Sequence, residues 1–129
     1  MFLIDPLSRT PVYEQIIEQM QRLIETGVLH AGDQLPSVRS LSVKLRINPN
    51  TIQKSYAELD ARGLIQSVPG KGCFVSRDAL HLLQTETIKR LPEFTTLARE
   101  LLSAGIDKEV LIDAIRQIPH PTNEKENES

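Results

Sequence analysis

Residues 37–63 read S-V-R-S-L-S-V-K-L-R-I-N-P-N-T-I-Q-K-S-Y-A-E-L-D-A-R-G. The stretch encodes two helices and the break between them. Ser37 is a good N-cap for a short helix whose apolar residues Val38, Leu41 and Leu45 share one face. Arg46-Ile47-Asn48-Pro49 interrupts it, because the residue before a proline is pushed out of the helical region. Asn48 then caps a second helix, and Pro49 occupies its first position, where a missing N–H costs nothing. Ile47 and Ile52 flank that cap as a hydrophobic staple, which fixes the angle of departure. The second helix is expected to run to Arg62, bury Ile52, Tyr56 and Leu59, and stop at Gly63.

Outward from this pair the signals stay local. Upstream, Thr10 as N-cap and Pro11 at the first helical position predict a helix start, Val12, Ile16, Met20, Leu23 and Ile24 recur at helical steps, and Gly27 predicts the stop. Gly32-Asp33 and Pro36 mark a turn. Downstream, residues 64–67 and 73–76 are short strand candidates around Val68-Pro69-Gly70-Lys71-Gly72, a hairpin. Leu80, Leu83, Ile88, Phe94, Leu97, Leu101 and Leu102 then follow a helical pattern that Pro92 must kink or divide. A last helix starts at Asp107, stapled by Ile106 and Leu111, carries Leu111, Ile115 and Ile118, and ends at Pro119.

The expected fold is mainly α with a small β-hairpin. Two helices, a tight turn and a hairpin are the order of a winged helix-turn-helix, expected over residues 1–77. A short two-helix dimerisation or effector element is expected over 78–119, and a polar, disordered tail over 120–129.

Composition narrows the function classes. The 129 residues suit one ordinary domain, or a small domain with an appended element, and no enzyme-sized second module is expected. No run approaches the ~18 apolar residues of a membrane span, so no membrane partner is expected. The N-terminus lacks the basic start and apolar stretch of a secretory signal. A single cysteine, Cys73, cannot form an intrachain disulfide and suits a reducing cytoplasm. An enzyme is disfavoured, because His30, His81 and His120 are scattered and Cys73 has no evident base beside it. There is no metal-ligand spacing, and no cofactor is implied. Lys71 is followed by Gly72 and Cys73, not by a Ser or Thr opening a helix, so the wing is no nucleotide-binding loop.

Net charge is −2, which by itself speaks against a nucleic-acid partner. Its distribution speaks otherwise. Between Gln34 and Arg77 stand seven basic residues against two acidic ones, a local +5 between flanks of −3 and −4. With Ile52, Tyr56 and Leu59 inward, Asn50, Gln53, Lys54 and Ala57 lie on the outer side of the second helix. Asn and Gln can bond an adenine edge twice, Lys can reach guanine acceptors or phosphate, and Ala allows close approach to the groove. Arg39 stands where a duplex backbone would pass, beside the free N–H groups near Ser37. The plainer alternative for Arg39 is a surface salt bridge to Glu58 or Asp60. Gly70 and Gly72 let the hairpin turn sharply and hold Lys71 at its tip, suited to a phosphate or the minor groove.

Five segments resemble the DNA-binding domain of the GntR family of bacterial regulators. They are P-V-Y-E-Q-I from Pro11, G-D-Q-L-P-S-V-R-S-L from Gly32, N-P-N-T-I-Q-K-S-Y-A-E-L from Asn48, R-G-L-I from Arg62 and P-G-K-G-C-F-V from Pro69. The resemblance implies a DNA contact by Arg39, places Asn50, Thr51, Gln53 and Lys54 on the recognition helix and makes Gly70, Lys71 and Gly72 the wing tip, with Ser37 and Asn48 as further candidate DNA contacts. Cys73 stands where many relatives carry Thr, and Pro49 and Gln53 where some carry Arg, so no operator sequence is implied.

The short remainder resembles the YtrA subfamily, whose terminal helices form a dimer interface. Leu80, Leu83, Phe94, Leu97, Leu101, Leu111, Ile115 and Ile118 are the dimerisation candidates here. The implied function is a repressor acting as a homodimer on a palindromic double-stranded operator, with a transporter operon among the targets the resemblance admits. A small-molecule effector would lie at the dimer interface or between tail and winged domain. The alternative is a winged-helix module that binds protein and lacks sequence-specific DNA binding.

Overall fold

A short amphipathic helix is stable only when its apolar side is covered, so the helices of this chain are best described by what covers them. In the computed structural model, which describes residues 2–120, they run in the order α1 (Val12–Glu25), α2 (Val38–Leu45), α3 (Pro49–Ala61), α4 (Ala79–Thr87), α5 (Leu91–Ser103) and α6 (Lys108–Gln117). Strands β1 (Ile65–Val68) and β2 (Gly72–Val75) lie between α3 and α4, and a 3₁₀ turn (Ile88–Arg90) lies between α4 and α5. The chain divides into two compact units after Gln84.

The core of the first unit is built around α3. Ile52, Tyr56 and Leu59 are buried as the periodicity requires, and they join Ile16, Met20 and Ile24 of α1 and Leu41 of α2. Three buried polar positions lie outside the apolar pattern, and one of them, Ser42 on α2, donates its hydroxyl to the Ile47 carbonyl. Ser55 is fully buried, and its hydroxyl donates to the Tyr13 carbonyl (2.9 Å) and to its own helix at Thr51 (3.2 Å). Gln15 is buried on α1, donating through Nε2 to the carbonyls of Asp5 and Thr10 and accepting from the Asp5 amide. With Gln19, which bonds both backbone groups of Leu3, it fastens residues 3–10 along α1, and Phe2 enters the core.

Side-chain capping follows the sequence at α2 and α3, whereas Asp107 stands at the cap position of α6 without a side-chain cap bond. The Ser37 hydroxyl accepts from the Ser40 amide (3.0 Å), and Asn48 Oδ1 accepts from the Asn50 amide (2.8 Å). In α1, by contrast, Pro11 occupies the cap position itself, and no side chain caps the helix. The expected Thr10 cap is therefore displaced by one residue, and the Thr10 carbonyl serves Gln15 instead.

The strands pair antiparallel, with Ile65 opposite Val75 and Val68 opposite Gly72. Each lies one residue from its expected place, because the ladder closes at Gly72. The segment expected to be a plain turn contributes a third edge. The amides of Gly32 and Leu35 donate to the carbonyls of Val75 and Cys73, the Val75 amide returns a bond to Asp33, and Gln34 bridges to Phe74. β2 is thus hydrogen-bonded on both sides.

The first unit extends past the expected boundary at residue 77. Ala79 and Leu83 of α4 are buried in its core, which corrects the assignment of Leu83 to a dimerisation surface. Pro92 divides the downstream helical stretch and does not kink it: it stands in the first turn of α5, after the 3₁₀ turn. In the second unit, α5 and α6 bury none of their residues. Phe94, Leu97 and Ile115 are each about half exposed and Ile118 is 69% exposed, while Leu101 is 37% exposed and Leu111 partly covered. In α4, Leu80 is 43% exposed. Of the tail expected at 120–129, all but His120 lies outside the described residues.

Arg46 closes α2 at φ 57°, ψ 45°, the left-handed region, which is costly for a residue with a Cβ. Replacing Arg46 by Gly should raise stability by about 0.5 kcal/mol, the strain relief of ~1–2 kcal/mol being partly offset by a floppier unfolded chain. Urea titration measures it.

Tyr56 is buried and its hydroxyl donates to the Pro36 carbonyl (2.7 Å); burial raises the hydroxyl above its ordinary value of 10.0. Tyr56→Phe should cost about 1 kcal/mol at neutral pH. A raised acid holds its proton in the fold after the unfolded chain has lost it, so this stabilisation is complete below pH 10 and fades above it. The wild-type advantage over the Phe variant should therefore hold up to about pH 10 and shrink as the pH rises further in paired denaturant titrations.

Candidate DNA interface

α3 is pinned on two sides. Ser55 ties it to the start of α1, and Tyr56 ties it to the residue before the α2 cap. The two bonds leave the opposite side in water, with Asn50, Gln53 and Ala57 all exposed and Thr51 partly so. Asn48 uses its oxygen as a cap, which leaves its amide N–H groups free to donate outward. Because the Pro36 carbonyl holds Tyr56, the α2 N-terminus bearing Ser37 and Arg39 has a fixed relation to α3.

Charge in this region is largely unneutralised. Of the seven basic residues between Gln34 and Arg77, only Arg62 forms an ion pair among the described residues, to Glu58 (2.9 Å) on the next turn of the helix. Glu58 is therefore already engaged, and Arg39 is exposed without an ion pair. Its charge is available to a phosphate. The local +5 thus remains as an outward field, while the acidic flanks set the net value.

Lys54 differs from its neighbours on the stripe. Its ammonium lies 3.8 Å from the centre of the Tyr13 ring, a cation–π contact. The side chain leans toward α1, into a groove of about 440 Å³ also lined by Glu14, Glu18 and Glu58. The Tyr13 hydroxyl donates to Glu14 (3.1 Å), and that bond and the carboxylate's charge raise it above its ordinary value. Lys54 and Gln53 are adjacent in sequence yet face different grooves. Gln53 and Ala57 line a cleft of about 360 Å³ between α3 and the hairpin, closed at its far side by Ser67 and Cys73, whose Oγ and Sγ lie 3.3 Å apart.

The hairpin tip is a turn with Pro69 second and Gly70 third, closed by the Lys71 amide donating to Val68 (2.9 Å). Gly70 has φ +77°, as that turn requires. Lys71 is exposed at the apex. From outside the hairpin, Gln34 Nε2 donates to the Lys71 carbonyl (3.1 Å). Sequence reading missed Gln34, Tyr13 and Ser55 as holders of this surface. Each acts through a bond spanning more than thirty residues or through a ring contact between helices, and neither leaves a periodic trace. Among the described residues no group of three or more His, Cys, Asp and Glu is placed to hold a metal, and no helix is long and apolar enough to cross a membrane.

The model for bacterial regulatory proteins of the gntR family matches residues 12–75. The HTH-type transcriptional repressor YtrA of Bacillus subtilis is 40% identical over 92% of this chain and 92% of its own length. Among solved structures, a GntR family transcriptional regulator from Listeria monocytogenes superposes with TM-score 0.66 at 36% identity, covering 87% of this chain and 98% of that one. The AraR DNA-binding domain, in complex with operator ORX1, superposes with TM-score 0.52 at 30% identity over 58% of this chain and 93% of its own. The expected winged helix-turn-helix is present in the structure, and the matched segment spans α1 to β2. The chain belongs to the GntR family, whose members are DNA-binding transcriptional regulators and not enzymes.

Proposed function

We propose that this regulator is a repressor that binds a palindromic operator as a homodimer, reading bases with Asn50 and Gln53 and gripping phosphate with Arg39 and Lys71. The observation that carries this reading is the double-pinned α3, which turns an unneutralised polar stripe toward solvent in a fixed orientation. Thr51 and Asn48 serve at the helix start, Ser37 and its neighbouring amides at the phosphate, and Gly70 and Gly72 shape the wing. Lys54, held on Tyr13, is a backbone contact in this reading and not a base reader. Repression is supported by the likeness to a protein named as a repressor.

Dimerisation is assigned to α5 and α6, with Phe94, Leu97, Leu101, Leu111, Ile115 and Ile118 as contacts. Two amphipathic helices with no buried residue leave an apolar stripe that a second copy would cover. Two-fold symmetry would set two α3 helices about one DNA turn, ~34 Å, apart, hence the palindrome.

Footprinting on DNA upstream of the regulator's own gene tests the reading directly. A protected palindrome is expected. Arg39→Ala should weaken binding to all duplexes alike and flatten the salt slope by about 1, whereas Gln53→Ala should cost ~1–3 kcal/mol on the operator and little on random DNA. Equal losses on both duplexes for Gln53→Ala would remove it from the base-reading set.

Phe94→Asp combined with Leu97→Asp should convert the protein to a monomer in light scattering at micromolar concentration, with the winged unit still folded by circular dichroism. A dimer that persisted in that variant would place the interface elsewhere.

A further inference from the structure

We propose that Gln34 is a positioning residue for the wing: its side-chain amide holds the Lys71 tip in the shape that meets DNA phosphate. The inference rests on the proposed phosphate contact of Lys71. Gln34 lies thirty-seven residues upstream, on the edge segment that pairs with β2. Its backbone bridges to Phe74, and the next amide, Leu35, donates to Cys73 (2.8 Å), so its Cα is fixed against the strand. From there the side chain runs along β2 to the tip, where Nε2 donates to the Lys71 carbonyl (3.1 Å).

Space has been kept for it. Gly72 has φ +121°, and a Cβ there would lie 2.8 Å from Gln34 Nε2. A side chain at 72 would displace the amide, so the glycine serves both the turn and the contact.

The tip needs an outside tie. The β1–β2 ladder ends at the Val68–Gly72 pair, and beyond it the only backbone bond within the tip is Lys71 to Val68. Without that tie, two glycines in five residues would leave the apex free to move. A free apex would lose conformational entropy each time Lys71 met a phosphate, and affinity would fall accordingly. Because Gln34 is exposed, its bond adds little to global stability, and its effect should be confined to the wing.

The test uses the full-length protein and a fluorescently labelled random-sequence duplex of about 30 base pairs, which reads phosphate contacts without any operator. Gln34→Met keeps the side chain's length and loses the donor, and Gln34→Ala removes both. Each should weaken binding about three- to tenfold without moving the thermal unfolding midpoint, and should raise fast backbone motion at Lys71 and Gly72 in ¹⁵N relaxation. Lys71→Ala should weaken binding about tenfold and lower the salt slope by about 1. In the Lys71→Ala background, the Gln34 substitutions should add less than twofold. Wild-type affinity in Gln34→Met, or an undiminished loss in the Lys71→Ala background, would overturn the proposal while leaving the wing contact intact. Unchanged binding by Lys71→Ala itself would overturn the wing reading, and this inference with it.

Discussion

A helix proposed to read DNA must be held from behind, and in this protein the holding is done by neighbouring turns of α3. Ile52 and Leu59 are fully buried against α1 and α2. Between them, Ser55 and Tyr56 add directed bonds to two different partners, the Tyr13 and Pro36 carbonyls. Apolar burial alone would let α3 slide or roll at small cost, because the hydrophobic effect has no direction. Two hydrogen bonds diverging from adjacent residues remove that freedom. The cost is two polar groups in the core, and both are satisfied; among the described residues no buried side-chain polar atom lacks a partner.

The same economy recurs at the wing. β2 is a four-residue strand, too short to be stable with one neighbour, and the backbone of residues 32–35 gives it a second. That third edge joins the hairpin to the segment entering α2, so the wing, the α2 N-terminus and α3 form one connected scaffold through Leu35, Pro36 and Tyr56. Elements proposed to touch DNA at separate points are thereby kept in register without a large core.

Local signals in the sequence were enough for most of this. Ser37, Asn48-Pro49 and Gly63 place the ends of α2 and α3 because capping is decided within four residues. The exposed stripe on α3 followed from its buried one. What could not be read depends on distance in the chain. The edge strand at 32–35 is short, carries Gly and Pro around it and has no alternation to betray it. Leu83 looked like one more member of an apolar series continuing to Phe94, but the core of the first unit reaches far enough to bury it, and periodicity does not say which surface a helix faces. Gln15 and Ser55 leave no trace in the sequence for the same reason: a polar residue inside a core is legible only through its partner.

The side-chain arrangement also bears on how affinity and selectivity are divided at the proposed interface. Asn50 and Gln53 are uncharged, so contacts they make displace no condensed counterions and change little with salt. Arg39 and Lys71 are charged, exposed and without ion pairs, suited to the salt-dependent, sequence-blind share of binding. Lys54 could have belonged to either group. Seated on the Tyr13 ring beside Glu14, its ammonium already has a favourable electrostatic partner, and reaching a base edge would mean giving that up. A cation bound in this way is poorly placed to discriminate among bases, since the energy to move it would be spent whichever base it met. In the proposed interface, base choice therefore falls to two neutral amides one helical turn apart, and the strength of the complex to the cations that meet phosphate, Arg39 and Lys71 with Lys54 beside them. Such a division lets operator preference change by substitution at Asn50 or Gln53 while the grip on the backbone stays as it is.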